Sequence, residues 1–163
     1  MTSKEELKKR VCDAIDKRAE DLYKIGDAIL RQPELGFKEF KTAALVEEKF
    51  RSLELSCQTG LAITGVKAEI PGRSASLHVA LMGELESIVI PSHPFADPQT
   101  RAAHGWGHNA SITGMIGAGM GLVDSGVMKD LDGLVSLMAV PAEELRPLSI
   151  SFSPFGWCTK LLI

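Results

Sequence analysis

The chain has 163 residues, 45% hydrophobic and 24% charged, the composition of one ordinary globular domain rather than of a disordered, collagenous or coiled-coil chain. A formal net charge of −3 argues against a protein built to bind nucleic acid. Cys12, Cys57 and Cys158 are odd in number, far apart and without a CxxC pair, which disfavours a disulfide scaffold or zinc finger and fits a reducing compartment. The charged N-terminus, Met1 to Arg10, is not followed by the apolar core of a secretory signal. The longest apolar run, 110–123, is shorter than the roughly 20 residues that span a bilayer. The expectation is a soluble, cytoplasmic protein with neither membrane nor nucleic-acid partners.

The spacing of Leu7, Val11, Ile15, Leu22, Ile25 and Ile29 predicts one amphipathic helix. Ser3 and Glu6 form a capping box at its start, and Pro33 ends it near Arg31 or Gln32. After a turn at 33–37, a second helix is expected from about Lys38 to Leu53, with Phe40, Ala44, Phe50 and Leu53 on its buried side. Ile63, Val66, Ala68 and Ile70 read as an extended segment closed by a Pro71-Gly72 turn. Leu77, Val79 and Leu81 alternate along a strand over Ser76–Met82, with His78 on its opposite face. Residues 91–105 read as loop. A small-residue helix follows from Ala110 to about Ser125. The apolar run 134–140 reads as a central buried strand, stopped by Pro141. A helix between two apolar strands implies a βαβ crossover and a partly parallel sheet.

Charge is uneven along the chain. Residues 1–80 hold 14 basic and 13 acidic side chains, whereas 81–163 hold 4 and 8. Three polar clusters of that acidic half fall at strand ends or before the Gly-rich helix: Glu84 with Glu86, the run His104 to Asn109, and the pair Glu143-Glu144. Ligands of α/β sheets bind at the carboxyl ends of strands, and carboxylates with imidazole are ligands for a divalent cation. One carboxylate of a Glu-Glu pair can bind a metal while its neighbour acts as general base toward a metal-bound water. Gly105 and Gly107 make the segment holding His104 and His108 a tight loop rather than a helix. The series Gly117, Gly119, Gly121 is a poor dinucleotide fingerprint, because no strand precedes it and Asp124 comes too early.

Taken together, these stretches resemble the M20 family of metal-dependent aminoacylases and amidohydrolases, nearest to the branch of aminobenzoyl-glutamate, hippurate and auxin-conjugate hydrolases. The run RQPELGFKEF at 31–40, followed by Thr42-Ala-Ala, is similar to an N-terminal PELGF signature. Leu81 to Glu86 resembles a strand-end acidic motif, His104 to Asn109 an H-x-C-G-H-[DN] metal loop, and Val140 to Glu144 a PAEE motif. The resemblance implies His108 and Glu144 as metal ligands and Glu143 as the general base. It implies Glu84 as an acid beneath the metal loop. The fold implied is a three-layer αβα zinc-exopeptidase-like sheet with flanking helices. The cofactor implied is a divalent metal, zinc or manganese, and the reaction is amide hydrolysis of an N-acyl amino acid or peptide-like substrate.

Two departures bear on that reading. Trp106 stands where the resemblance implies a metal-bridging cysteine, and an indole has no lone pair for a cation whose ligands sit at about 2.0–2.3 Å. The resemblance covers only about residues 1–144, whereas members of the family are longer and carry further ligands and a lid domain. Residues 1–144 are therefore expected to be the N-terminal part of a truncated catalytic domain, with an unmatched apolar tail at 145–163 and weak or absent metal binding. The alternative expectation is a non-catalytic remnant, or a half-chain that pairs with a C-terminal partner.

Overall fold

A computed structural model describes residues 2–74 and 76–144; the apolar tail read at 145–163 lies outside the described residues. Two helices open the chain, α1 (Lys4–Asp16) and α2 (Ala19–Leu30), where the apolar spacing predicts one. Between Ile15 and Leu22 the residues are mostly charged, so nothing there holds the ladder against the core, and Arg18 N–H closes a tight turn on the Ile15 carbonyl. Ser3 caps α1, accepting the N–H of Glu6 at 3.2 Å.

Helix α3 (Phe40–Ser52) buries Thr42, Ala43, Val46 and Phe50. Of the expected buried side, Phe50 and Leu53 are buried, whereas Phe40 and Ala44 are exposed and Thr42, Ala43 and Val46 take their place. Strand β1 (Cys57–Leu61), not read from the sequence, pairs antiparallel with β2 (Gly65–Pro71). Its polar sequence has no apolar alternation to betray it.

Strand β3 (His78–Glu84) leads through the short pair β4 (Ile88–Val89) and β5 (Ala102–Ala103) to helix α4 (His108–Ser125), and the chain returns in β6 (Leu134–Val140). The sheet order is β1-β2-β6-β3, with β6 antiparallel to β2 and parallel to β3. This is the expected βαβ crossover in a mixed α/β architecture with flanking helices.

The core lies between the sheet and the helices. Val66, Ala68, Leu137 and Ala139 of the sheet meet Phe50 of α3 and Ile112 and Ile116 of α4. The glycines of α4 are explained by close packing. A Cβ on Gly119 would lie 2.6 Å from Leu137, and one on Gly121 would lie 2.7 Å from Ile15. On the opposite face of the sheet, His78 Nε2 bonds the Ser136 hydroxyl at 2.7 Å.

Candidate metal centre

The parallel pair β3 and β6 ends on one side of the sheet, and α4 begins there. Gly107 caps α4 with φ of 85°, a left-handed conformation that costs glycine little, so His108 becomes the first helical residue. The loops leaving β3 and β6 bring their acids toward it. Glu86, His108 and Glu143 each offer a donor atom, and these atoms lie within 4.8 Å of one another.

Glu86 links the three segments. It is 1% exposed. Its Oε1 accepts the backbone N–H of Glu144 at 2.8 Å, and its carbonyl oxygen lies 2.9 Å from His108 Nδ1. A carbonyl only accepts, so Nδ1 carries the proton and Nε2 keeps a lone pair for a ligand. Glu86 Oε2 is buried with no hydrogen-bond partner among the described residues. Burial pushes the Glu86 carboxyl above its usual range, against the pull of the Glu144 N–H and the His108 ring. An orphaned, buried carboxylate oxygen beside an oriented imidazole fits the ligand set of a cation. Two carboxylates and an imidazole are a donor set for a divalent metal.

The structure places the sequence-derived candidates differently. Glu143 is exposed and contributes its carboxylate to the cluster. Glu144 is held there by its backbone N–H, and its carboxylate is not among the three donors. Glu84 ends β3 and accepts the hydroxyl of Ser111 in the first turn of α4. Trp106, between the two loop histidines, is 68% exposed. His104 is 5% exposed, and neither ring nitrogen has a partner among the described residues. Burial lowers its pKa to about 4, with the His108 and His93 rings adding to the effect.

The run at 31–40 supports this centre from below. Glu34 accepts the N–H groups of Lys41 and Thr42 at the start of α3, while its carbonyl accepts from the N–H and hydroxyl of Ser87, next to Glu86. Glu39 is fully buried. It accepts the Thr64 hydroxyl at 2.7 Å and the N–H of Ala142 at 3.0 Å. Ala142 has φ of 52°, so Glu39 holds a strained residue immediately before Glu143. The sequence places Glu86 in an acidic cluster suited to a cation but singles out Glu84 from it, and it gives Glu39 no role. Glu86 was visible as the second acid of its motif, and Glu39 had only its place in the 31–40 run.

No family model matches the chain. It is 28% identical over 144 residues to thermostable carboxypeptidase 2 of Saccharolobus solfataricus, covering 81% of this chain and 36% of that protein. It is 28% identical over 115 residues to the N-acetyl-L-cysteine deacetylase of Bacillus subtilis, covering 69% of this chain and 27% of that enzyme. A crystal structure of a dinuclear metal-binding M20 peptidase from Bacillus subtilis superposes with a TM-score of 0.67 at 26% identity, over 77% of this chain and 36% of its own. The chain thus spans only 36% and 27% of the length of these curated relatives.

Proposed function

We propose that this chain, an M20 family amidohydrolase in part, contributes the Glu86–His108–Glu143 centre to metal-dependent hydrolysis of amide bonds. The observation that carries the reading is the convergence of those three donors within 4.8 Å around a carboxylate oxygen that lacks a partner among the described residues. His108 presents Nε2, and Glu86 fixes the imidazole and the Glu144 backbone; Glu144, whose carboxylate lies outside the three donors, would add a further ligand on turning its side chain toward them. Glu143 is the general base, and Glu84 ties β3 to the start of α4. When bound, zinc or manganese would lower the pKa of a ligated water and polarise the substrate carbonyl. The exposed Glu143 would take a proton at its carboxylate, while buried Glu86 holds the geometry.

The substrate class is an N-acyl amino acid or a peptide-like conjugate, in line with the deacetylase and carboxypeptidase names of its relatives. Residues 1–144 read as the N-terminal part of a catalytic domain. The free thiols of Cys12 and Cys57 fit a cytoplasmic setting; no described helix is long and apolar enough to cross a membrane. The coverage of the relatives favours a second reading beside this one: the chain works as a half that needs a C-terminal partner for turnover.

Isothermal titration with zinc and with manganese tests the centre. Binding that is lost in His108→Ala supports it, and no binding by the wild-type chain overturns it. Amine release from a panel of N-acetyl amino acids, by the chain alone and with a supplied C-terminal half, separates the two readings.

A further inference from the structure

The turn that joins β1 to β2 is strained. Leu61 pairs with Gly65, so residues 62–64 close the hairpin, and Ala62 and Ile63 have φ of 46° and 83°. A left-handed backbone is uncommon for alanine and an outlier for a β-branched residue. Strain of this kind gathers at functional sites. Strand β2 begins where β6 ends, since Val66 pairs with Ala139, which sets this turn beside the loop that carries Glu143. A Cβ on Gly65 would lie 3.2 Å from Pro141 Cδ and 3.3 Å from the Ala139 carbonyl oxygen.

The strained pair delivers Thr64 inward. Thr64 is 3% exposed, and its hydroxyl donates to Glu39 Oε2 at 2.7 Å. The other oxygen of that carboxylate accepts the N–H of Ala142 at 3.0 Å. Ala142 is itself left-handed, with φ of 52°, and Glu143 follows it.

We propose that Thr64 is a positioning residue for Glu143, acting through Glu39, so that the β1–β2 turn belongs to the framework of the reaction. This rests on Glu143 as the proton acceptor of the proposed function. A carboxylate turns easily about its last torsion. With one buried partner it can swing, and with a partner on each oxygen it is fixed. Thr64 holds Oε2, which aims Oε1 at the Ala142 N–H and keeps the backbone before Glu143 in its left-handed state. Two strained segments, 62–63 and 142, are thus joined through one buried carboxylate.

Amide hydrogen exchange of the full chain without metal, read beside isothermal titration with zinc, tests this. Thr64→Val keeps the side-chain shape and removes the donor. It should speed exchange at Ala142 about tenfold more than at Leu137, a buried residue within β6 that reports opening of the sheet. Zinc affinity should fall about three- to tenfold, less than for a direct partner of a ligand. Thr64→Ser returns the hydroxyl and should return both values to those of the wild type. Thr64→Cys, with its weak donor, supplies an intermediate step should the valine chain not fold. Equal acceleration at Ala142 and Leu137 overturns the proposal. So does zinc affinity unchanged by Thr64→Val, or a serine variant no better than the valine one. A wild-type chain that binds no zinc refutes the metal-centre reading instead, and exchange at Ala142 then decides this one.

Discussion

Oε1 of Glu86 accepts the backbone N–H of Glu144 at 2.8 Å, so a buried carboxylate after β3 holds the loop after β6. Glu86→Gln keeps an acceptor for that bond and removes the charge. Divalent-cation affinity is expected to fall about ten- to a hundredfold, read by isothermal titration. The metal-free protein should respond with the opposite sign. Burial raises the Glu86 carboxyl, so its contribution to stability is present below the ordinary carboxyl range and is lost as pH rises through the raised value. Above that range the Gln variant should be more stable than wild type in urea without metal, and the gap should close on acidification.

His104 gives a second pH signature. Its pKa is lowered from 6.5 to about 4 by burial, then by the His108 and His93 rings. The folded chain therefore favours the neutral ring. The corresponding stability is present above pH 6.5 and is lost as pH falls toward 4, by roughly 3 kcal/mol in all. His104→Phe keeps an aromatic ring and removes two buried nitrogens without partners among the described residues. Its unfolding free energy should lack this acid loss, measured by urea titration at a series of pH values.

Glu39→Ala should cost about 2–4 kcal/mol, because it strands the Thr64 hydroxyl and the Ala142 N–H in a buried site. Ala142 then loses its restraint and so does Glu143. Faster hydrogen exchange at Ala142 and weaker cation binding should accompany the loss of stability. Loss of stability with unchanged exchange at Ala142 would refute the anchoring role.

The motifs at 81–86, 104–109 and 140–144 carried the centre into view from sequence because strand ends and a helix start bring them together. Period-2 alternation marks β3, a run of small residues marks α4, and an unbroken apolar run marks β6. The division of labour between Glu84 and Glu86 was not legible. Strand alternation puts both on one face, but β3 ends at Glu84 and the chain then bends Glu86 into the core. Glu39 read as one more charge at a helix start. Only the tertiary approach of Thr64 and Ala142 makes it a buried anchor. The break between α1 and α2 has no proline or glycine to mark it, and the buried side of α3 is read correctly at Phe50 and Leu53 but not in its first turn, where Phe40 is apolar yet exposed.

The approach of β3 to α4 sets the distance between the strand-end acids and His108, and Gly83 controls it. A Cβ at Gly83 would lie 2.9 Å from Ile112 Cα and 3.1 Å from the Ser111 carbonyl oxygen. These are backbone atoms that cannot rotate aside, so Gly83→Ala must push the strand and the helix apart. The expected cost is about 1–3 kcal/mol, with weaker cation binding because the Glu84–Ser111 bond and His108 move with α4. Gly114→Ala is the matched control. It lies in the same helix with nothing within 4 Å of the new Cβ, and alanine there should stabilise by about 0.5–1 kcal/mol. Opposite signs in paired urea titrations tie the centre to strand–helix contact, whereas stabilisation by both substitutions would refute a close β3–α4 approach at Gly83.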